Sequence, residues 1–296
     1  MVWDDHEVAN DNWREGAENH TEGKEGAFLD RRKAAMQAYF EWMPVRATNP
    51  SEQGHLYRSL TFGDLVELTM MDLRTYRDEQ VRFGPRKMAA EGRTMLGSEQ
   101  YNWLLNKIET SSAKWNILGN SVMFSPMNLA TLQQDDKTKP VSSSLSSNIT
   151  GIPVNGDQWD GYSAERRLLI DALSKHDSHT LFVTGDIHSE WAHNISKDGR
   201  VFGAEMVCSS VSAPNVNEQL KLPEGNELSK LAERYLLGAN PHTRHVDLDH
   251  HGYSYVTVRP DSAEMHWLRV DNLLTAKSPV REAVTMTWRP GEGYTK

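Results

Sequence analysis

The chain has 296 residues, 38% hydrophobic and 25% charged, enough for one large domain or two ordinary ones with a substantial core. No apolar run approaches the ~20 residues of a membrane-spanning helix, so no transmembrane segment is expected. A formal net charge of -9 provides no global positive field, which argues against sequence-independent binding to nucleic-acid phosphates and leaves an anionic substrate dependent on a local positive centre.

The chain opens on Val2 and Trp3, a strand-like fragment that runs straight into acidic residues. MVWDDHEV has no basic region, no apolar stretch and no twin arginine, so no export signal is expected on this chain. Residues 14–27 read as a polar, glycine-containing loop. Phe28, Ala35, Ala38, Tyr39 and Trp42 then recur at helical spacing until Pro44, which predicts a helix over 28–42. Residues 55–72 read as a hairpin with its turn at Gly63-Asp64. A second helix follows Ser98, with Tyr101, Leu104, Leu105 and Ile108 on one face, and Lys114–Leu118 returns to strand.

Residues 126–161 are rich in Ser, Asn, Asp and Pro and read as a long surface loop; Trp159, Asp160 and Tyr162 of QWDGY at its end are expected to serve packing and turns. A third helix begins at Ser163 and is expected to bury Leu168, Leu169, Ala172 and Leu173 before the strand HTLFVTGD. The single cysteine, Cys208, cannot form an internal disulfide and reads as core packing in an apolar strand. Later strands are expected at 201–208, 253–259 and 263–270, with a helix near 226–236. Helices alternating with apolar strands predict an α/β fold in one domain spanning 1–296, and the adjacent late strands predict that part of the sheet is antiparallel.

Two segments place hard-metal ligands where a strand runs out into a loop. WDDHEVANDNW holds Asp4, Asp5, His6, Asn10, Asp11 and Asn12 within nine positions. FVTGDIHSEW presents Asp186 and His188 on one side if the backbone stays extended. Such clusters also build turns and caps, and Gly-Asp is an ordinary end to a strand. Converging carboxylates and imidazoles nevertheless suit phosphoester hydrolysis, because a metal can activate water near neutral pH and clamp phosphoryl oxygens.

Arg58 and Arg74 could hold a phosphate by bidentate hydrogen bonds, although most arginines solvate a surface. Asn120 could ligate a metal or end a turn. HTRHVDLDHHGY offers His242, His245, His250 and His251, of which one functional histidine at most is expected. His251 is taken as a substrate-binding candidate.

The segments WDDHEVANDNW, AYFEWMPVR, LYRSLTFGDLVELTMMDLRTYRDEQ, MLGSEQYNWLL, KWNILGNSVMF, QWDGYSAERRLL, VTGDIHSEWAHNI and HGYSYVTVRP occur in the order found in PhoD-like phosphatases. The chain resembles that family over almost its whole length. The resemblance implies a metallophosphoesterase-like sandwich of two mixed β-sheets flanked by helices, with a multi-metal site at the strand ends. It places Asp5 as a metal ligand with His6 beside the scissile phosphate, and Asp186 as a ligand with His188 as ligand or supporting donor. It implies calcium (Ca2+) and ferric iron (Fe3+) as cofactors, phosphomonoesters and phosphodiesters as substrates, and a periplasmic or secreted setting.

Family members carry a Cys ligand and a Gly-Asp-x-x-Tyr motif before WDDHE. Neither stands upstream here, so the catalytic domain is expected to be N-terminally incomplete. Two rival readings follow. One is a catalytically incompetent fragment or a non-enzymatic metal-binding module. The other is an unrelated nuclease-like module built on DDHE and the late histidines.

Overall fold

A computed structural model describes residues 1–47, 54–82, 84–131, 151–153 and 155–295. Its strands are β1 (Arg58–Phe62), β2 (Val66–Met70), β3 (Trp115–Asn120), β4 (Asn128–Thr131), β5 (Gly151–Pro153), β6 (His179–Thr184), β7 (Glu190–Lys197), β8 (Arg200–Val207), β9 (Thr243–Asp247), β10 (Gly252–Arg259), β11 (Ser262–Val270), β12 (Val280–Arg289) and β13 (Gly293–Thr295). The longer helices are α1 (Phe28–Trp42), α2 (Gly97–Thr110), α3 (Ser163–Leu173) and α4 (Glu227–Ala239).

Seven strands form one mixed sheet in the order β1-β2-β3-β6-β8-β7-β9. Its centre, β2-β3-β6-β8, is parallel, because α2 and α3 carry the chain back across one face between β2, β3 and β6. The outer strands pair antiparallel. The second sheet, β10-β11-β12-β13, is antiparallel across all its described pairs. The expected α/β sandwich of two sheets is therefore present, with parallel pairing confined to the larger one.

Two cores follow from this layering. Between the sheets, Trp115 and Leu181 meet Trp267, Met286 and Trp288, all fully or nearly fully buried. Trp115 and Trp288 contact edge to face with ring centroids 5.6 Å apart, the geometry that aromatic quadrupoles favour. On the opposite face, Leu104 and Ile108 of α2 and Leu169 and Leu173 of α3 pack with Leu118 and Phe182 of the sheet. Each fully buried Leu or Phe contributes about 1.5–3 kcal/mol of hydrophobic stabilisation, which fixes the register of both helices on the sheet.

Local chemistry accounts for several boundaries. Gly63 adopts a left-handed φ of 57° in the β1–β2 turn, a conformation that costs glycine little. Asn226 caps α4 by accepting the Ser229 amide at 2.9 Å, which satisfies one of the unpaired donors at a helix start.

Other expectations are corrected. Val2 and Trp3 form no strand; Trp3 is buried and its Nε1 donates to Asp72 Oδ1 at 3.0 Å. In α1 the buried residues are Phe28, Met36 and Tyr39, whereas Trp42 is 84% exposed. In α3 Leu168 faces solvent and Ala172 is half-buried, since the sheet covers a narrower stripe than the run of apolar residues. Cys208 stands one residue beyond β8 and is half-buried. The expected 126–161 loop contains the β4–β5 pair and a buried turn at Trp159–Tyr162, while residues 132–150 and 154 lie outside the described residues.

Candidate active site

Parallel strands deliver their C-terminal ends to one edge of the sheet, and the loops leaving those ends are the usual place for ligand binding in α/β folds. Here that edge gathers Asp72 and Arg74 after β2, Asn120 at the end of β3 and Asp186 after β6. The 3–12 segment lies against the same edge. A cleft of about 370 Å³ opens there, lined by Asp4, Asn120, Ser121, Thr184 and Asp186 among others.

Asp4, Asp5 and Asp186 each offer a carboxylate oxygen, all within 4.8 Å of one another. Backbone conformation contributes to this convergence. Asp186 sits at φ 70° and Asp11 at φ 51°, left-handed values that non-glycine residues seldom adopt and that cluster at functional sites. Asp5 also organises its own turn. Its Oδ1 accepts the His6 amide at 2.9 Å, its Oδ2 accepts the Asp11 amide at 2.8 Å, and its carbonyl accepts the amides of Val8 and Ala9. The ligand and turn-forming readings of this segment are thus compatible.

Arg74, 1% exposed, binds this cluster together. Its Nε donates to Asp4 Oδ1 at 2.6 Å, its Nη1 bridges both oxygens of Asp157 at 3.0 and 2.9 Å, and its Nη2 reaches Asp186 Oδ1 at 3.1 Å. Arg77, also buried, donates from Nη2 to Asp157 Oδ1 at 2.5 Å and from Nε to the Asn12 carbonyl at 2.9 Å. Asp4, Asp5, Asp157 and Asp186 together outnumber the two guanidinium groups, so the cluster retains negative charge facing the cleft. In this structure the Arg74 guanidinium makes its side-chain hydrogen bonds to carboxylates.

The electrostatics follow from that arrangement. Burial works to raise the Asp4 pKa, but the Arg74 guanidinium prevails and the net shift is downward. Asp186 moves the other way, pushed well up by burial and then by the Asp4 charge. Burial and the neighbouring Asp157 push Asp11 up to about 6. Such crowding of carboxylates disfavours a second negative charge unless a cation shares the site.

The remaining candidates are distributed unevenly. His6 lies beside Asp5 with its side chain 78% exposed and Nε2 3.9 Å from Asp5 Oδ2. His188 does not share a face with Asp186, because the backbone turns at φ 51° instead of staying extended, and its Nδ1 bonds the Pro214 carbonyl at 2.9 Å. Asn120 is buried, and its Oδ1 accepts the Trp159 indole N–H at 2.9 Å. Arg58 bonds the carbonyls of Leu56 and Met1. His251 sits between Ser210, at 3.2 Å, and Glu218, at 3.0 Å.

Asp157 and Arg77 went unnoticed in the sequence. Asp157 precedes QWDGY in a polar stretch that reads as loop, and only its ion pairs distinguish it.

The profile of the PhoD-like phosphatase family matches residues 1–267. The chain belongs to this family. It is 34% identical over 276 residues to alkaline phosphatase D of Bacillus subtilis (strain 168), a match covering 88% of this chain and 42% of that protein. A solved structure of PhoD superposes with a TM-score of 0.79 at 27% identity, covering 100% of this chain and 54% of the other. The chain therefore spans about half the length of the PhoD-like proteins it matches.

A PhoD-like phosphatase implies metal cofactors, and the donor set fits a hard cation. Asp4, Asp5 and Asp186 present carboxylate oxygens only, the ligands that calcium-type and other hard ions prefer over thiolate or thioether.

Proposed function

We propose that this PhoD-like chain carries part of a metal-dependent phosphoester hydrolase site, acting on phosphomonoesters and phosphodiesters, within one domain over residues 1–296. The observation that supports it most is the convergence of Asp4, Asp5 and Asp186 at the C-terminal edge of the parallel strands in a chain of a phosphatase family. Asp4, Asp5 and Asp186 would hold the cation, with calcium and ferric iron as the ions that the family resemblance implies. A hard cation bound there supplies positive charge to the phosphoryl oxygens and acidifies water.

The chain's own residues divide the remaining work. Arg74 and Arg77 hold the carboxylates in register and absorb part of their mutual repulsion. His6, exposed beside Asp5, would give a proton to a leaving oxygen. Arg58 and His251 are tied to other groups and contribute to substrate binding only if those bonds open.

The test is hydrolysis of bis(p-nitrophenyl) phosphate by purified 1–296, with and without added calcium and iron, alongside Asp5→Ala and Asp186→Ala. Metal-dependent turnover lost in both variants supports the reading. Turnover that ignores metal, or survives both substitutions, overturns it. No turnover from the parent chain favours the incompetent-fragment reading.

A further inference from the structure

Glu205, in the middle of the large sheet on β8, is fully buried. No cation among the described residues pairs with it; burial raises its pKa, and hydrogen bonds alone oppose that shift. Its Oε1 accepts the Phe124 amide at 2.7 Å and the Thr184 hydroxyl at 2.8 Å, while Oε2 accepts the Ser125 amide at 2.7 Å. The Ser125 side chain also bonds Glu205, and because an uncompensated buried carboxylate is costly, this convergence of donors marks a constrained arrangement.

The donors identify what is constrained. Phe124 and Ser125 belong to the turn that follows Asn120, and Thr184 stands two residues before Asp186. Asn120 and Ser121 ahead of that turn, and Thr184 with Gly185 and Asp186, line the cleft. The Gly185 amide also donates to the Ser121 carbonyl at 3.2 Å, tying the two strand ends together.

Direction matters more than contact. Backbone amides point at both oxygens of Glu205, which makes it the acceptor here, and the Thr184 hydroxyl donates its proton to Oε1. Its oxygen is then left to accept, which it does from Asn120 Nδ2 at 3.1 Å. Asn120 Nδ2 donates to the Val122 carbonyl as well. Three partners therefore hold the amide one way round: the Thr184 oxygen and the Val122 carbonyl take its nitrogen, and the Trp159 indole N–H takes its oxygen.

We infer that Glu205 is a positioning residue for the candidate site: acting through Thr184, it reinforces the amide orientation of Asn120 that Val122 and Trp159 also hold, and it ties together the two strand ends that carry Asn120 and Asp186. Its relevance to a cation rests on the hydrolase reading above, whereas the orientation of Asn120 does not. A glutamine at 205 would turn an N–H against a backbone N–H and could reverse the chain of donors.

The experiment compares the parent with Glu205→Gln, Thr184→Val, Thr184→Ser and the Glu205→Gln/Thr184→Val double variant. Two quantities are read: hydrogen exchange of the Asn120 side-chain amide by NMR, and affinity for calcium ion by calorimetric titration. The expected result is a slowly exchanging Asn120 amide in the parent and in Thr184→Ser, with protection reduced at least tenfold in Thr184→Val and Glu205→Gln. Calcium affinity should fall ~10–100-fold in each of those two, the usual range for residues that orient ligands. The double variant should be no weaker than the poorer single, because both act along one path.

Thr184→Val keeps the proposal falsifiable should Glu205→Gln fail to fold. An Asn120 amide that exchanges freely in the parent, protection unchanged in the variants, or additive losses would each overturn it. If the parent binds no calcium while the exchange pattern holds, the cation reading fails and the positioning of Asn120 stands.

Discussion

Arg74 Nη2 lies 3.1 Å from Asp186 Oδ1, joining two residues 112 positions apart in the chain. The same guanidinium reaches Asp4, which brings the N-terminal segment and the ends of β2 and β6 into one cluster around Arg74. Removing a partner from a buried ion pair leaves charges without compensation, and this site holds several.

Arg74→Met should therefore be severely destabilising, by about 3–5 kcal/mol, because it preserves length while stranding Asp4, Asp157 and Asp186. Arg74→Lys should recover only part of the loss, since a compact ammonium cannot serve three carboxylates as a planar fork does. Urea denaturation of both variants checks this. A midpoint close to the parent for Arg74→Met would show that the cluster is hydrated.

Calcium ion should raise the unfolding temperature of the parent. A ligand at ~100 times its Kd stabilises the folded state by about 2.7 kcal/mol. Asp186→Asn should abolish the shift by removing one of the three converging carboxylates. Differential scanning calorimetry with and without chelator measures both, and an equal shift in parent and variant would place the ion elsewhere.

Acid stability should depend on His242. Burial, followed by nearby arginines, lowers its pKa to about 4, against ~6.5 for an unfolded histidine, while its Nε2 bonds the Pro126 carbonyl at 2.9 Å. The unfolded chain thus takes up the proton first as pH falls. Stability should decline from about pH 6.5 down to about pH 4, by up to about 3 kcal/mol from this group, and level off below. His242→Gln, which can keep a donor toward Pro126, should flatten that decline in pH-dependent denaturation. An unchanged slope would assign it to other groups.

The two central leucines of α3 should respond unequally. Leu169 is fully buried against the sheet, so Leu169→Ala should cost about 2–5 kcal/mol. Leu168 is 53% exposed, so Leu168→Lys should change stability by no more than about 0.5 kcal/mol. Thermal denaturation of the pair distinguishes the observed helix face from the one the sequence predicts.

Much of the architecture was legible in the residues. The 28–42 helix, the hairpin around Gly63 and the strand leading to Gly185 all appear where periodicity and turn chemistry place them. Strands β7, β9, β12 and β13 were not foreseen. EWAHNISK and TRHVD carry weak apolar alternation, and they become strands because β7 pairs with both β8 and β9, which satisfies their backbone groups.

The candidate site divides in the same way. The sequence by itself determined that Asp186 stands just past a strand end, because an apolar run closed by glycine marks such an end locally, and that Asp4 and Asp5 share one short acidic run. Only the tertiary structure decided that these carboxylates converge, that His188 turns away, and that Arg74 and Arg77 are buried among acids instead of solvating a surface. The reason is physical: an ion pair between residues 112 positions apart depends on how strands order and pair in a sheet, and no local spacing encodes that.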